Sequence, residues 1–400
     1  MNRKVISFSA VVILSICVVL FFSCGSGKYE VKNSNPQEIN KIDTKSINLN
    51  VYIENSGSMD GYMHPSSEFK NDLYSYFGAL SSEVKTTKLN YINSHIIPIN
   101  ESVKTFFDNL NPASFKAKGL DRSHSEIVDM LSDVISNLGK DNNSVAIFAS
   151  DCILDVKSGS ASNDYFENRR TTLRDAIKRY LNAHPDFAVE IICTLSKFDG
   201  MLFPPNASPV PCKAERPYYV WIFGPKNLLG ALNEKVAPKT AFRSGKIKYI
   251  SSFAQCGQMP FTLYLNGKEG DKIQLHGKKN EFDILADLSS SLLPDDVLAD
   301  LNSYSYKESK ATIKSVDRIK TVSSDYTHTI HVEFGSTSKA IKQVVSLHMN
   351  EQPAWAEDMN DDKSGTDVKK TFGIKYLVYA ISDAYSKAIP AQLQFEINKK

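Results

Sequence analysis

Several signals that would announce a function are missing from this chain. The cysteines, six in 400 residues, follow no zinc-ligand spacing, and a chain this long buries its own core without metal or disulfide staples. Neither sign of charge is in real excess: 47 Lys and Arg stand against 45 Asp and Glu, so no basic surplus exists to drive binding to phosphate backbones. Nucleic acid is therefore not an expected partner. A hydrophobic share of 42% with 23% charged residues excludes both a polytopic membrane protein and a disordered chain. No repeat, coiled coil or low-complexity run occurs. A Gly-x-Ser-x-Gly nucleophile elbow is also absent, since Asn55 precedes Ser56 and Met59 follows Ser58. The histidines are scattered, and the two close ones, His328 and His331, fall on opposite faces of an alternating strand. Glu357, Asp358, Asp361, Asp362 and Asp367 cluster near Trp355 but miss the EF-hand spacing, so a solvated acidic loop is expected.

What is present begins at the N-terminus. Asn2-Arg3-Lys4 precedes an uncharged run over residues 5–22, the pattern of an export signal. Leu20-Phe21-Phe22-Ser23-Cys24-Gly25 resembles the lipobox of bacterial lipoproteins, although Phe21 stands where that family prefers a leucine-like residue. The resemblance implies removal of residues 1–23, lipidation of Cys24 and a place in the bacterial cell envelope, on the periplasmic side or the cell surface. The alternative is that the run stays uncut as a membrane anchor, being nearly long enough to span a bilayer. Residues 24–46 are rich in Gly, Ser, Asn and Lys and read as a flexible tether. Without Arg3 and Lys4 the basic and acidic residues are equal in number, at 45 each, so the mature protein is formally neutral. Beyond Cys17 and Cys24 the cysteines are Cys152, Cys193, Cys212 and Cys256, which an oxidising compartment would let pair or which sit as buried thiols.

From 47 to about 238 strands alternate with helices. Residues 47–53 alternate like a strand and end in the turn-rich Glu54-Asn-Ser-Gly-Ser-Met-Asp-Gly61. Phe69, Leu73, Tyr76, Phe77 and Leu80 mark one helical face, and Ile127, Met130, Leu131, Val134, Ile135 and Leu138 another. Further helices are predicted over 103–110, 170–184 and 228–236, and short strands over 89–92 and 95–99. Residues 145–149 form a continuous apolar strand that stops at Ser150-Asp151; residues 189–195 and 218–223 read as two more strands separated by a long Pro-containing loop. This alternation predicts a doubly wound, mostly parallel α/β sheet, in which ligands sit beyond the carboxyl ends of the strands.

Three polar groups fall at that edge: Glu54, Ser56 and Ser58 after the first strand, Ser123 or Ser125 before the 127–138 helix, and Asp151 after the apolar strand. They are hard oxygen donors without a spaced His or Cys, a set suited to Mg²⁺, or less strictly Ca²⁺ or Mn²⁺. Here the chain resembles the von Willebrand factor A domain, whose metal-ion-dependent adhesion site uses Asp-x-Ser-x-Ser after the first strand, a Thr before a helix and an Asp after the fourth strand. Ser56-Gly57-Ser58-Met59 matches the form Ser-Gly-Ser-Met, and Asp151 matches the second aspartate; Glu54 replaces the first Asp and Ser123 the Thr. The resemblance implies a cation held by Glu54, Ser56, Ser58, Ser123 and Asp151, with Asp60, His124 and Ser125 bordering the contact surface. The bland alternative has Glu54 and the serines capping the following helix and Asp151 serving as a turn residue.

Beyond residue 239 short alternating segments predict a β-rich, sandwich-like domain: 261–265 and 273–275 around Asn266-Gly267, then 282–288, 329–334, 345–349 and 392–397. One helix near 372–387 carries an apolar stripe of Ile374, Leu377, Val378, Ile381 and Tyr385. The function expected is a lipid-anchored extracytoplasmic protein that binds an acidic group of a protein or glycan through a divalent ion and performs no chemistry. A metal-dependent phosphoester hydrolase is the alternative, but no general base is placed near the ion by spacing. A third reading is a scaffold or assembly component whose metal site is inactive because Glu54 replaces Asp.

Overall fold

The computed structural model describes residues 28–400 except 118–121, 123–125, 140–141, 157–162, 206–207, 277–279, 308, 322–323 and 338. The export signal, Cys24, Ser123, His124 and Ser125 lie outside the described residues. No described helix is long and apolar enough to cross a membrane.

The chain folds as a mixed α/β protein built on three larger sheets. The first has seven strands, in the spatial order Ile96–Ile99, Thr86–Ile92, Asn48–Glu54, Ser144–Ser150, Val210–Pro225, Phe187–Leu202, Ile247–Ala254. At its centre Ser144–Ser150 is buried at every position, as its unbroken apolar run requires. Asn48 and Asn50 stay half-buried, so the neighbouring strand has one partly wet face. Helices Glu68–Glu83 and Ile127–Leu138 occur where the apolar periodicity places them. Ser67 accepts the Lys70 amide and so caps the first of these.

The sheet is mixed rather than mostly parallel. Its parallel pairings are those on either side of Asn48–Glu54, and the other four are antiparallel. The reason lies in the stretch read as a Pro-containing loop. Phe187–Leu202 and Val210–Pro225 form a single long hairpin, in register from Phe187 opposite Pro225 to Leu202 opposite Val210. A hairpin is antiparallel by construction. The apolar runs at 189–195 and 218–223 would be equally buried in either direction, so their composition carries no sense of direction. The outer half of this hairpin, with Pro211 and Pro217 in it, projects past the sheet and covers the loop after Asn48–Glu54.

Tyr29–Lys32, inside the segment expected to be a flexible tether, is a strand between Lys272–Leu275 and Ala391–Lys399. Its inward residues, Tyr29 and Val31, are buried, but two apolar positions are too few to reveal periodicity. Apart from a short parallel pair, Asn360–Asp361 with Thr371–Phe372, the remaining β-structure forms two sheets, antiparallel except where Gly257–Gln258 joins Ala391–Lys399, that share one core, with Phe282 against Phe395 and Tyr29 against Phe334 at ring distances of 5.5 and 5.2 Å. The expected boundary near 239 is crossed in both directions. Ile247–Ala254 completes the first sheet as its edge strand. Helix Ile374–Tyr385 packs on helix Asn163–Ala183, and its Ile374, Leu377, Ile381 and Tyr385 enter the core that holds Trp221 and Phe253. Cys152, Cys193, Cys212 and Cys256 are all free thiols.

Candidate functional site

Asn48–Glu54 and Ser144–Ser150 run side by side, with Ile53 opposite Ala149, so their carboxyl ends deliver Glu54 and Asp151 to the same edge. Glu54, Ser56 and Asp151 are buried. The Ser56 and Ser58 hydroxyls are 3.0 Å apart. Ser58 hydrogen-bonds the Asp151 carboxylate, while Asp151 Oδ2 is buried and has no hydrogen-bond partner. Ser150 Oγ donates to Glu54 Oε2 and accepts the Cys152 amide at 2.7 Å. Burial raises the Asp151 carboxyl above the usual aspartate range, opposed by the positive charge of Arg216 and the Ser58 hydrogen bond. Cys152, in a left-handed conformation at φ 56°, accepts a hydrogen bond from Trp221 Nε1 at 3.2 Å, and burial pushes its thiol well up.

Ser58 opens a 3-10 helix, Ser58–Tyr62, that lies tight against the projecting hairpin. A Cβ on Gly61 would stand 2.3 Å from the Phe198 ring, and one on Gly200 would stand 2.7 Å from the Gly61 Cα, so both glycines are required by close approach. Tyr62 OH donates to the Pro217 carbonyl at 2.6 Å, and Asp151 N donates to Met59 Sδ at 3.3 Å. These contacts fix the loop from the side of the hairpin.

Arg122 fixes it from the other side. Its Nε donates to Asn55 Oδ1 at 2.7 Å and its Nη2 to the Ser56 carbonyl at 2.8 Å; the guanidinium also pairs with Asp60 and lies over the Phe115 ring. Lys116 adds a second partner to Asp60 at 3.3 Å. Asp60, expected at the contact surface, is thus engaged in ion pairs within the loop.

One residue that the sequence reading passed over is Arg216. It sits on Val210–Pro225 opposite Ser196, is 1% exposed, and its Nε and Nη1 have no hydrogen-bond partner. Its guanidinium lies 4.9 Å from the Phe198 ring centroid, and it is not in ion-pair contact with Asp151 among the described residues. A charged residue two positions before the apolar run 218–223 was the available signal, but Pro217 made the stretch look like a loop. The acidic residues near Trp355 are committed locally: Asp361 accepts the amides of Lys363 and Ser364, and Glu357 and Asp362 share Lys375.

For a hard divalent cation, Ser56, Ser58 and Asp151 offer the right chemistry, with an orphaned buried carboxylate oxygen beside two hydroxyls. Glu54 is turned toward Ser150, behind them. No group of three or more His, Cys, Asp or Glu side chains fit to hold a metal occurs among the described residues. Over the site, the hairpin tip exposes Met201, Phe203 and Val210, and the Phe203 ring lies 3.5 Å from where a Gly57 Cβ would be.

Comparison with family models, with curated proteins and with solved structures gives no match. The likeness to von Willebrand factor A domains rests on the residues around Ser56 and Asp151 and on their order along the chain.

Proposed function

We propose that the protein is a lipid-anchored, extracytoplasmic binding protein that engages an acidic group on a protein or glycan at the strand-end cluster. The observation that carries this reading is the buried Asp151 Oδ2, without a hydrogen-bond partner, beside the Ser56 and Ser58 hydroxyls. Ser56, Ser58 and Asp151 would hold Mg²⁺, or Ca²⁺ or Mn²⁺, with Glu54 supporting through Ser150. When bound, the ion supplies an electrophilic position for a partner's carboxylate. The apolar tip at Met201, Phe203 and Val210 would flank that contact, since grouped exposed hydrophobic residues favour association.

A second reading is favoured by Arg216, which already supplies a buried positive charge to Asp151. In that reading the cluster is a metal-free structural core and the protein is a scaffold. Thermal melting with Mg²⁺ and with EDTA separates the two. The metal reading expects a higher melting point with Mg²⁺, lost in Ser56→Ala and Asp151→Ala, because a ligand of the native state alone stabilises it by about 2.7 kcal/mol at a hundredfold excess over Kd. No cation-dependent shift in the wild type overturns it and leaves the scaffold. Lipidation is read from incorporation of labelled palmitate, which Cys24→Ser should abolish.

A further inference from the structure

On the opposite side of the long hairpin from its tip, a cleft of about 520 Å³ opens between the seven-stranded sheet and the β-sandwich, a size and location typical of small-molecule sites. One wall is apolar, made by Ile250, Leu288, Leu292, Leu293 and Leu298. Among the lining charges, Arg318 is taken by Glu234 and Asp295, and Lys239 by Asp296 at 2.6 Å. Glu190 has no such cation. It is 1% exposed, its Oε2 accepts from Asn233 Nδ2 at 2.9 Å, and its Oε1 has no hydrogen-bond partner. His328, 2% exposed, meets Thr327 Oγ1 through Nδ1 at 2.9 Å, and its Nε2 faces Asp295 Oδ1 at 3.5 Å.

We propose that this cleft binds a small organic ammonium, whose cation pairs with Glu190 and whose aliphatic body lies against Leu288, Leu292 and Leu293. An isolated carboxylate in an apolar site is costly unless a positive group accompanies it. Four lining carboxylates against two side-chain cations leave the cleft short of positive charge, which a cationic ligand supplies and an anionic one does not. Burial pushes Glu190 up to about 7, so it ionises readily when a cation arrives, whereas burial and Arg318 push His328 down to about 4 and keep it neutral. Tyr76, buried on the adjoining helix, feels Glu190 and stays a neutral phenol.

The test is calorimetric titration of the protein with n-hexylamine, with n-hexanol and n-hexanoate as comparison probes, at pH 7.5 and 5.5. Hexylammonium should bind at pH 7.5, and Glu190→Gln should weaken it at least tenfold while hexanol binding is unchanged. At pH 5.5 the wild type should fall to the level of the variant, because Glu190 is protonated there. The glutamine keeps the shape and the Asn233 contact, and circular dichroism establishes that the variant is folded. Equal binding of hexylammonium to wild type and variant, tighter binding of hexanoate, or no binding of hexylammonium at pH 7.5 overturns the proposal.

Discussion

The strand-end cluster and the cleft beside Glu190 bury the same chemical group under opposite conditions. At the strand ends Asp151 lies within reach of the charge of a buried arginine and of the Ser58 hydroxyl, both of which favour its ionised form against burial. In the cleft Glu190 has one amide donor and no cation, and burial carries its carboxyl up to about 7. Burial raises both carboxyls, but the first has an opposing positive charge and a hydroxyl donor, whereas the second has no cation and is raised to about 7. Internal compensation, rather than depth of burial, separates the two.

Removing the compensation should break this contrast most strongly. Arg216→Met leaves Asp151 buried without its opposing charge, and a loss of about 3–5 kcal/mol in urea unfolding at pH 7 is expected, because an uncompensated charge is left buried. The deficit should shrink as pH falls and Asp151 takes up a proton. A variant as stable as wild type at both pH values would show that Arg216 does not support the cluster.

Next in size is Leu377→Ala, expected to cost about 2–5 kcal/mol by opening a cavity in a fully buried position. Its value to the comparison is that Leu377 comes from beyond residue 239 yet packs with Trp221 under the sheet that carries both regions. A single unfolding transition, shifted as a whole, is the expected result; a shift confined to one of two transitions would separate the halves.

Glu190→Gln should sharpen the contrast from the other side. The folded carboxyl titrates at about 7 and the unfolded one near 4.5, so the native state holds the extra proton between those values and wild-type stability declines as pH rises from about 4.5 to about 7. The variant lacks this decline and should gain up to about 3 kcal/mol over wild type above pH 7, and nothing below pH 4.5. His328 works in the reverse sense, because its folded value of about 4 lies below the unfolded one; its contribution grows from about pH 4 to 6.5, and the wild-type profile is flatter than either group alone would give. The smallest effect expected is that of Gly200→Ala. Its Cβ meets backbone atoms of Gly61, which cannot swing aside, and a loss of about 1–3 kcal/mol should accompany displacement of the Ser58–Tyr62 turn, seen as altered near-ultraviolet dichroism of Tyr62.

The strand-end cluster was the more legible of the two regions. Ser56-Gly-Ser-Met59 and Asp151 could be picked out because each directly follows an apolar strand, and strand ends in such sheets bring their following loops together. Arg216 could not, since it arrives from a hairpin whose register is decided by pairing over sixteen residues a side. Glu190 reads in the sequence as one polar position in an apolar strand, and His328 as one of several scattered histidines. Their meeting depends on how a sheet and a sandwich lie against each other.

By itself the sequence determined what local forces can decide: helices over Glu68–Glu83 and Ile127–Leu138 from their periodicity, the central strand Ser144–Ser150 from its unbroken apolar run, and a neutral charge balance once the first residues are set aside. Tertiary structure decided the direction of the hairpin strands, the incorporation of Tyr29–Lys32 into a sheet, the return of helix Ile374–Tyr385 to the first core, and the different surroundings of Asp151 and Glu190. These outcomes rest on burial and electrostatics between residues far apart in the chain. A strand buried on both faces has no sequence mark for its direction, and a carboxylate has none for the cation it will or will not meet.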